Sequence, residues 1–177
     1  MTLEQYVKAI KNNDESAFEA VYHKTRHAVY AMILPIVRDR SLAEDAMQET
    51  YIKMLKNIHS YKKRYKFMTW LLTIAKNTAL DSYRAHLKDL SIDGQINPDL
   101  FISQDSSVEK KLVSEYYLSL LNEEDQQIVL LRVVAELKHR DIAQLLNMPT
   151  GTVTYRYQKA LKIMREGSKE GESYEEK

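Results

Sequence analysis

The chain has no cysteine, and only four of its 177 residues are glycine and three are proline. The absence of cysteine excludes disulfide scaffolds, thiolate metal sites and cysteine nucleophiles. Glycine and proline supply most tight turns, so their scarcity argues against a β-sandwich or β-barrel and favours an all-helical chain. A chain of this length forms either one larger domain or two small ones, and neither option allows a large core.

Long apolar runs are also absent from the sequence. No window approaches the run of about 18 apolar residues that spans a membrane, and residues 1–10 lack the apolar core of a signal peptide. We therefore expect a soluble, intracellular protein.

The net charge is only +1, but basic and acidic side chains alternate in blocks. Nine basic residues and one acidic residue give residues 53–88 a charge of +8. Two basic and nine acidic residues give 89–125 a charge of −7, and seven basic and two acidic residues give 126–165 a charge of +5. This order suggests two surfaces for a polyanion, joined by a segment that avoids it. Ordinary solvated helix faces are the alternative interpretation.

Helical periodicity covers most of the sequence. Capping boxes predict helix starts at Thr2 and Ser41, and Pro35 is expected to bend or end the second helix. The fourth helix is predicted from about Phe67 to His86, and Asn122 is expected to cap a later helix that begins at Glu123. The third helix is expected to bury Met47, Tyr51, Met54, Leu55 and Ile58.

The periodicity fails between Leu87 and Ser107, where glycine, proline, serine and four aspartates occur together. This composition predicts a flexible acidic linker between two small helical domains. We therefore predict an all-α protein with a helical bundle over residues 1–87, a linker over 88–106, a second helical domain over 107–166 and a disordered tail over 167–177.

The most specific local pattern lies in residues 137–164. A short helix with Ile142 and Leu145 inward, a turn at Asn147 and a longer helix have the spacing of a helix-turn-helix. Asparagine tolerates the left-handed conformation that such a turn needs. The outer face of the longer helix carries donors suited to the base edges and phosphates of a DNA major groove. A helical hairpin with a basic face is the alternative. The longer helix is expected to bury Val153, Tyr157, Ala160, Leu161 and Met164.

These residues resemble bacterial sigma factors of the extracytoplasmic-function group, which keep only domains 2 and 4 of the sigma-70 family. Residues 149–156 are similar to the Gly-Thr-Val-x-Ser-Arg signature of region 4, with Tyr155 in place of the usual Ser. Asn147 and Asn122 replace a usual Gly and Pro. The resemblance implies a helix-turn-helix that reads the minus-35 element of promoters. The residues it implicates are Arg140, Thr152, Thr154, Tyr155, Arg156 and Lys159.

Residues 43–51 resemble region 2.2 of the same family, which packs against the clamp helices of the polymerase beta-prime subunit through an Asp-x-x-Gln-Glu pattern. Asp45, Gln48 and Glu49 lie within about one helical turn and present one acidic, hydrogen-bonding face. A di-iron carboxylate site would need a histidine three residues after Glu44 or Glu49, and neither position has one. The resemblance implies that Glu44, Asp45, Gln48 and Glu49 bind core polymerase.

Residues 67–77 resemble regions 2.3 and 2.4, which open and read the minus-10 element. Residues 60–67 interleave aromatic and cationic side chains, a composition suited to phosphates and to stacking on unpaired bases. Lys76 and Asn77 can hydrogen-bond a flipped base and its phosphate. A lone tryptophan such as Trp70 more often packs in a core. The residues implicated at the minus-10 element are Lys62, Lys63, Arg64, Tyr65, Trp70, Lys76, Asn77 and Arg84.

The resemblance implies an alternative sigma factor without catalytic residues, metal or cofactor. Its implied partners are promoter DNA, a cognate anti-sigma factor and core RNA polymerase, through the beta-prime clamp and the beta subunit. The implied location is the cytoplasm, where an anti-sigma factor can hold the protein at the membrane. A helix-turn-helix regulator that acts without polymerase is the alternative. A helical enzyme is disfavoured because the pair His23 and His27 lacks the intervening glutamate of a zinc protease motif.

Overall fold

The structure, a computed structural model, describes residues 1–62, 66–93 and 117–175, with side chains for 1–62, 66–88 and 117–167. Every regular element within these ranges is helical, which confirms the all-helical prediction. The chain divides into two compact units, Met1–Leu100 and Phe101–Lys177. The predicted domain boundaries stay predictions, because most of the predicted linker lies outside the described residues.

The first unit is a bundle of four α-helices within the described ranges. Its core fills the space where α4 packs against both α2 and α3, and α1 packs on α2. The elements are α1 (Leu3–Ile10), α2 (Glu15–Val37), α3 (Arg40–Asn57), a 3-10 turn (Ile58–Ser60) and α4 (Phe67–Asp93). The largest fully buried side chains of this unit are Val21, Val29, Met32, Ile33, Met54, Phe67, Leu71 and Leu72.

The helix starts show one prediction confirmed and one wrong. Thr2 and Gln5 form the predicted capping box, in which the Thr2 N–H donates to Gln5 Oε1 at 2.7 Å. The box predicted at Ser41 is wrong, because α3 begins at Arg40 and the Asp39 carboxylate accepts the Leu42 N–H at 2.8 Å. The Asp39 carboxylate lies two residues earlier, and its negative charge interacts favourably with the positive end of the helix dipole, which a serine hydroxyl does not do.

The ends of α2 and α4 also differ from the ends that the sequence predicts. Pro35 lies inside α2, which ends two residues later at Val37, where Arg38 takes a left-handed φ of 55°. The α4 helix continues beyond the predicted His86 to Asp93. Gly94 is the first strong helix breaker after His86, so the acidic residues in between do not stop the helix.

The inner face of α3, continued by the 3-10 turn, follows the prediction at Tyr51, Met54 and Ile58, which are buried at i, i+3 and i+7 spacing, whereas Met47 is half-buried. The prediction for Leu55 is wrong, because 40% of this residue is exposed. Successive helix residues are rotated by about 100°, so burial of Met54 turns its neighbour Leu55 toward the rim.

The second unit is built around a long helix. It contains α5 (Glu123–Val133), α6 (His139–Leu146) and α7 (Thr150–Glu175), and α7 packs against both others. Asn122 caps α5 as predicted, since its Oδ1 accepts the Asp125 N–H at 3.0 Å. The backbone of residues 167–175, predicted as a disordered tail, is helical. The fully buried side chains at the centre of this unit are Ile128, Leu131, Ile142, Val153 and Ala160.

The turn between α6 and α7 confirms the helix-turn-helix prediction. Asn147 takes the left-handed conformation, with φ 56° and ψ 47°, and the Met148 N–H donates to the Ala143 carbonyl at 2.9 Å. The predicted burial of Leu161 is wrong, because 37% of it is exposed, and Tyr157 and Met164 are half-buried.

Candidate nucleic-acid and protein interfaces

The four predicted polymerase-binding residues lie together on the outer side of α3. Glu44, Asp45, Gln48 and Glu49 are all exposed. Glu49 pairs with Lys53 at 2.9 Å, and the Lys53 ammonium also donates to Thr78 Oγ1 of α4 at 3.3 Å. The helix therefore presents an acidic face, defined here as residues 44, 45, 48 and 49. Lys53 links the C-terminal end of this face to α4.

Two apolar side chains continue this surface and were not predicted to belong to it. Ile52 is 51% exposed and Leu55 is 40% exposed, and both follow Gln48 and Glu49 at helical spacing on the same side. On the helical wheel of α3, both residues lie at the boundary between the buried stripe and the acidic face. This boundary position is the signal in the sequence that could have identified them. Exposed apolar residues beside polar ones are typical of protein interfaces.

The position of α3 depends on a polar contact inside the core. The Thr25 hydroxyl of α2 donates to the Val21 carbonyl at 2.7 Å and lies 2.8 Å from the Tyr51 hydroxyl of α3. Burial raises the pKa of Tyr51 to about 12. The Tyr51 ring also makes edge contacts with Phe18 and Tyr22. The acidic face is thus carried by a helix that is anchored to α2.

An aromatic cluster, defined here as Tyr61, Phe67 and Trp70, forms where the chain enters α4. The ring centroids lie 5.3 to 5.7 Å apart. Tyr61 and Phe67 are buried, whereas Trp70 is only half-buried. Burial, and secondly the charge of Glu4, raises the pKa of Tyr61. Trp70 therefore packs as the core interpretation predicted, and part of it still faces solvent.

The outer side of α4 carries a polar stripe in line with Trp70. Asn77 and Arg84 are exposed at i+7 and i+14 from Trp70, and Lys76 beside them is half-buried. The Arg84 guanidinium lies 3.8 Å from the Asp81 carboxylate, and both side chains are largely exposed. Of the predicted basic segment before the helix, Lys62 is exposed, and residues 63–65 (Lys63, Arg64 and Tyr65) lie outside the described residues.

The helix-turn-helix presents four of its six predicted DNA contacts to solvent. Thr152, Tyr155 and Lys159 lie on one stripe of α7, and Arg140 lies on α6. Tyr155 is 67% exposed although it is a large aromatic side chain. An exposed tyrosine between a threonine and a lysine offers both hydrogen bonding and apolar contact to a partner.

The other two predicted contacts are used by the fold. Arg156 pairs with Asp125 at 3.0 Å and with Glu124 at 2.6 Å, and Asp125 is only 2% exposed. The Thr154 hydroxyl donates to the Thr150 carbonyl at 3.0 Å and contacts His139 Nδ1 at 3.1 Å. Helix register alone did not predict these contacts, because their partners lie on α5 and α6.

Two classes of site have no counterpart in the described part of the chain. No group of three or more histidine, aspartate or glutamate side chains there is arranged to hold a metal ion. No helix within the described ranges has the length and apolar character to cross a bilayer.

Comparison with known proteins places family matches on both units. The model of sigma-70 region 2 matches residues 21–88, and the model of sigma-70, region 4, matches residues 115–164. The extracytoplasmic-function sigma factor SigW of Bacillus subtilis is 27% identical over 93% of this chain and 96% of its own. SigM of the same organism is 29% identical over 82% of this chain and 93% of its own.

Solved structures support the same fold. The sigma factor RpoE from Bartonella quintana, in complex with the anti-sigma factor NepR, has a TM-score of 0.63 and 22% identity, over 84% of this chain and 94% of that one. CnrH, in complex with the cytosolic domain of CnrY, has a TM-score of 0.62 and 15% identity, over 90% of this chain and 92% of that one.

Proposed function

The chain belongs to the extracytoplasmic-function group of the sigma-70 family, and we propose that it is an alternative sigma factor that binds core RNA polymerase and directs it to promoters. One observation carries the proposal. The segments matched by regions 2 and 4 are also those that present the acidic face of α3, the stripe on α4 and the stripe on α7. Each surface has the charge and chemistry that its proposed partner requires.

The acidic face of α3 is the proposed contact with the beta-prime clamp of core polymerase. Its carboxylates and amide can meet basic side chains, and Ile52 and Leu55 extend the contact with apolar area. Charge-assisted contacts that are desolvated at an interface centre contribute more than contacts at its rim. The apolar pair beside the carboxylates favours a protein partner over a small ligand or a cation.

The stripe on α4 is the proposed contact with the melted minus-10 strand. Trp70 offers an aromatic surface for stacking, and Asn77 offers donor and acceptor groups to an unpaired base. Lys62, together with Lys63, Arg64 and Tyr65, is proposed to follow the phosphates without regard to sequence. Lys76 and Arg84 extend the same cationic surface along the helix.

The stripe on α7 is the proposed contact with the duplex minus-35 element. We assign base readout to Thr152, Tyr155 and Lys159 and phosphate contact to Arg140. Arg156 and Thr154 are instead assigned to holding α7 in place, because the fold already uses their side chains. Gly151 supports this interface, since an added Cβ would meet nothing within 4 Å. The fold does not need glycine at this position, and the missing side chain leaves room for close approach of a DNA backbone.

A cognate anti-sigma factor is the proposed regulatory partner. Similar folds have been solved as complexes with the anti-sigma factor NepR and with the cytosolic domain of CnrY. Such a partner can hold the chain away from core polymerase, and at the membrane where the partner is itself anchored. In this role the chain carries out no catalytic step, and it acts in the cytoplasm.

Run-off transcription with core polymerase on a genomic promoter library tests the proposed function. We expect defined transcripts only when core polymerase and this protein are both present, and little specific duplex binding by the protein alone. A protein that footprints an operator tightly as a symmetric dimer without polymerase would be a conventional helix-turn-helix regulator, and the proposal would be wrong.

A further inference from the structure

Lys11 contacts the aromatic cluster although it precedes the segment matched by the region 2 model. Lys11 directly follows α1, and its ammonium donates to the Tyr61 carbonyl at 2.9 Å. The same ammonium lies 5.7 Å from the centroid of the Tyr61 ring. The contact joins residues fifty positions apart, so it fixes α1 to the start of the basic segment.

Tyr61 is the point at which this contact reaches the proposed DNA surface. Its N–H donates to the Ile58 carbonyl at 3.3 Å, which closes the 3-10 turn, and its ring packs on Phe67 and Trp70. The exposed Lys62 follows it directly. A displacement of Tyr61 therefore moves both the ring that supports Trp70 and the backbone from which Lys62 projects.

We propose that Lys11 is a positioning residue for the capture of melted promoter DNA, acting through Tyr61 on the stacking surface of Trp70. The inference rests on the proposed function of the α4 stripe. A hydrogen bond from an ammonium is stronger than one between neutral groups, and a cation above an aromatic ring adds to it. The half-buried Lys11 is thereby directed at the protein and not at a phosphate.

Trp70 is the single tryptophan of the chain, so its fluorescence tests the positioning step without DNA or polymerase. In Lys11→Met, we expect red-shifted emission and about a twofold rise in acrylamide quenching, because the cluster loses one anchor. Lys8→Met removes an exposed lysine from α1, one turn before Lys11, and should leave both quantities unchanged. Equal spectra for wild type and Lys11→Met would overturn the proposal, whatever the protein does with promoters.

Promoter opening by the full chain with core polymerase tests the functional step. Lys11→Met should slow opening of duplex promoters about tenfold, the size expected for one lost charge-assisted hydrogen bond. Its affinity for core and the salt dependence of DNA binding should stay at wild-type values, and Lys11→Arg should recover opening to within about twofold.

Three results would contradict this role for Lys11. The first is unchanged opening in Lys11→Met, and the second is an opening defect of equal size in Lys8→Met. The third is a shallower salt dependence like that expected for Lys62→Ala, which would make Lys11 a phosphate contact. A wild-type protein that opens no promoter with core polymerase would refute the proposed function instead, while the fluorescence comparison would still stand.

Discussion

The two units differ in how they use the charged side chains that were predicted to bind partners. In the first unit, the predicted contacts on α3 and α4 stand on the outside of the bundle, and even the Arg84 pair with Asp81 is exposed on both sides. In the second unit, Arg156 is held by an aspartate that is 2% exposed. A small domain has little apolar core, so it recruits polar contacts to fix its helices. A basic residue that the helical periodicity places on the outer face of a helix is therefore not always available to bind DNA.

The largest effect is expected at the acidic face. The combined substitution of Asp45, Gln48 and Glu49 by alanine should lower affinity for core polymerase at least about 100-fold, since each desolvated contact is worth about 2 kcal/mol or more. The variant should keep its unfolding midpoint, because all three side chains are exposed. Glu15→Ala with Glu19→Ala removes two exposed carboxylates from α2 and serves as the control. Co-purification of the triple variant with core at wild-type levels would refute the interface.

The contrast between the arginines predicts the next largest effect. Arg156→Met should destabilise the protein by about 3 kcal/mol, because it leaves the buried Asp125 without its cation. Arg84→Met should change stability by less than about 0.5 kcal/mol, as expected for an exposed pair. Chemical unfolding of the full chain measures the change in unfolding free energy for both substitutions. Equal losses of stability in Arg156→Met and Arg84→Met would contradict the proposed difference between the two units.

Base readout by α7 predicts a smaller and sequence-specific effect. Tyr155→Ala or Lys159→Ala should change preference at one or two positions of the minus-35 element, by about 1 to 3 kcal/mol for each contact. The measurement is transcription by the holoenzyme from a library randomised across that element. Arg140→Ala should weaken all sequences about equally, because phosphate contacts do not distinguish bases. If the Tyr155 and Lys159 variants lost the same activity on every minus-35 sequence, this face would contact DNA only through its charge and would not read bases.

The smallest effect concerns the anchor of α3. The folded state raises the pKa of Tyr51 from 10 to about 12, so it binds the phenolic proton more tightly than the unfolded chain does. This contribution to stability is complete below pH 10 and is lost between about pH 10 and 12. Tyr51→Phe should cost about 1 kcal/mol at neutral pH and remove that part of the alkaline loss. Parallel unfolding curves against pH for wild type and Tyr51→Phe would contradict this account.

Local sequence patterns predicted the parts of the structure that local chemistry determines. The capping box at Thr2, the left-handed Asn147 and the cap at Asn122 depend on neighbouring atoms, and all three are present. The start of α3 was predicted wrongly because Asp39 competes with Ser41 for the same helix end. The exposure of Leu55 depends on which side of α3 meets its neighbours, and a stripe of apolar residues does not reveal that.

The candidate sites divide in the same way. The acidic face was predictable because Asp45, Gln48 and Glu49 lie on one short helical stretch. The role of Arg156 was not predictable, because its partners lie 31 and 32 positions earlier in the chain, on another helix. The contact between Lys11 and Tyr61 is of the same long-range kind. Sequence predicts surfaces within one helix, and tertiary packing decides which of their side chains are free to bind.

The central claim is that the first unit acts on melted DNA and the second on duplex DNA. Permanganate reactivity at the minus-10 element, measured for Asn77→Ala and Tyr155→Ala on duplex and pre-melted promoters, tests it most directly. We expect Asn77→Ala to open duplex promoters poorly and to recover in part on the pre-melted template, while the Tyr155→Ala defect depends only on the minus-35 sequence. Normal opening of duplex promoters by Asn77→Ala would contradict the claim.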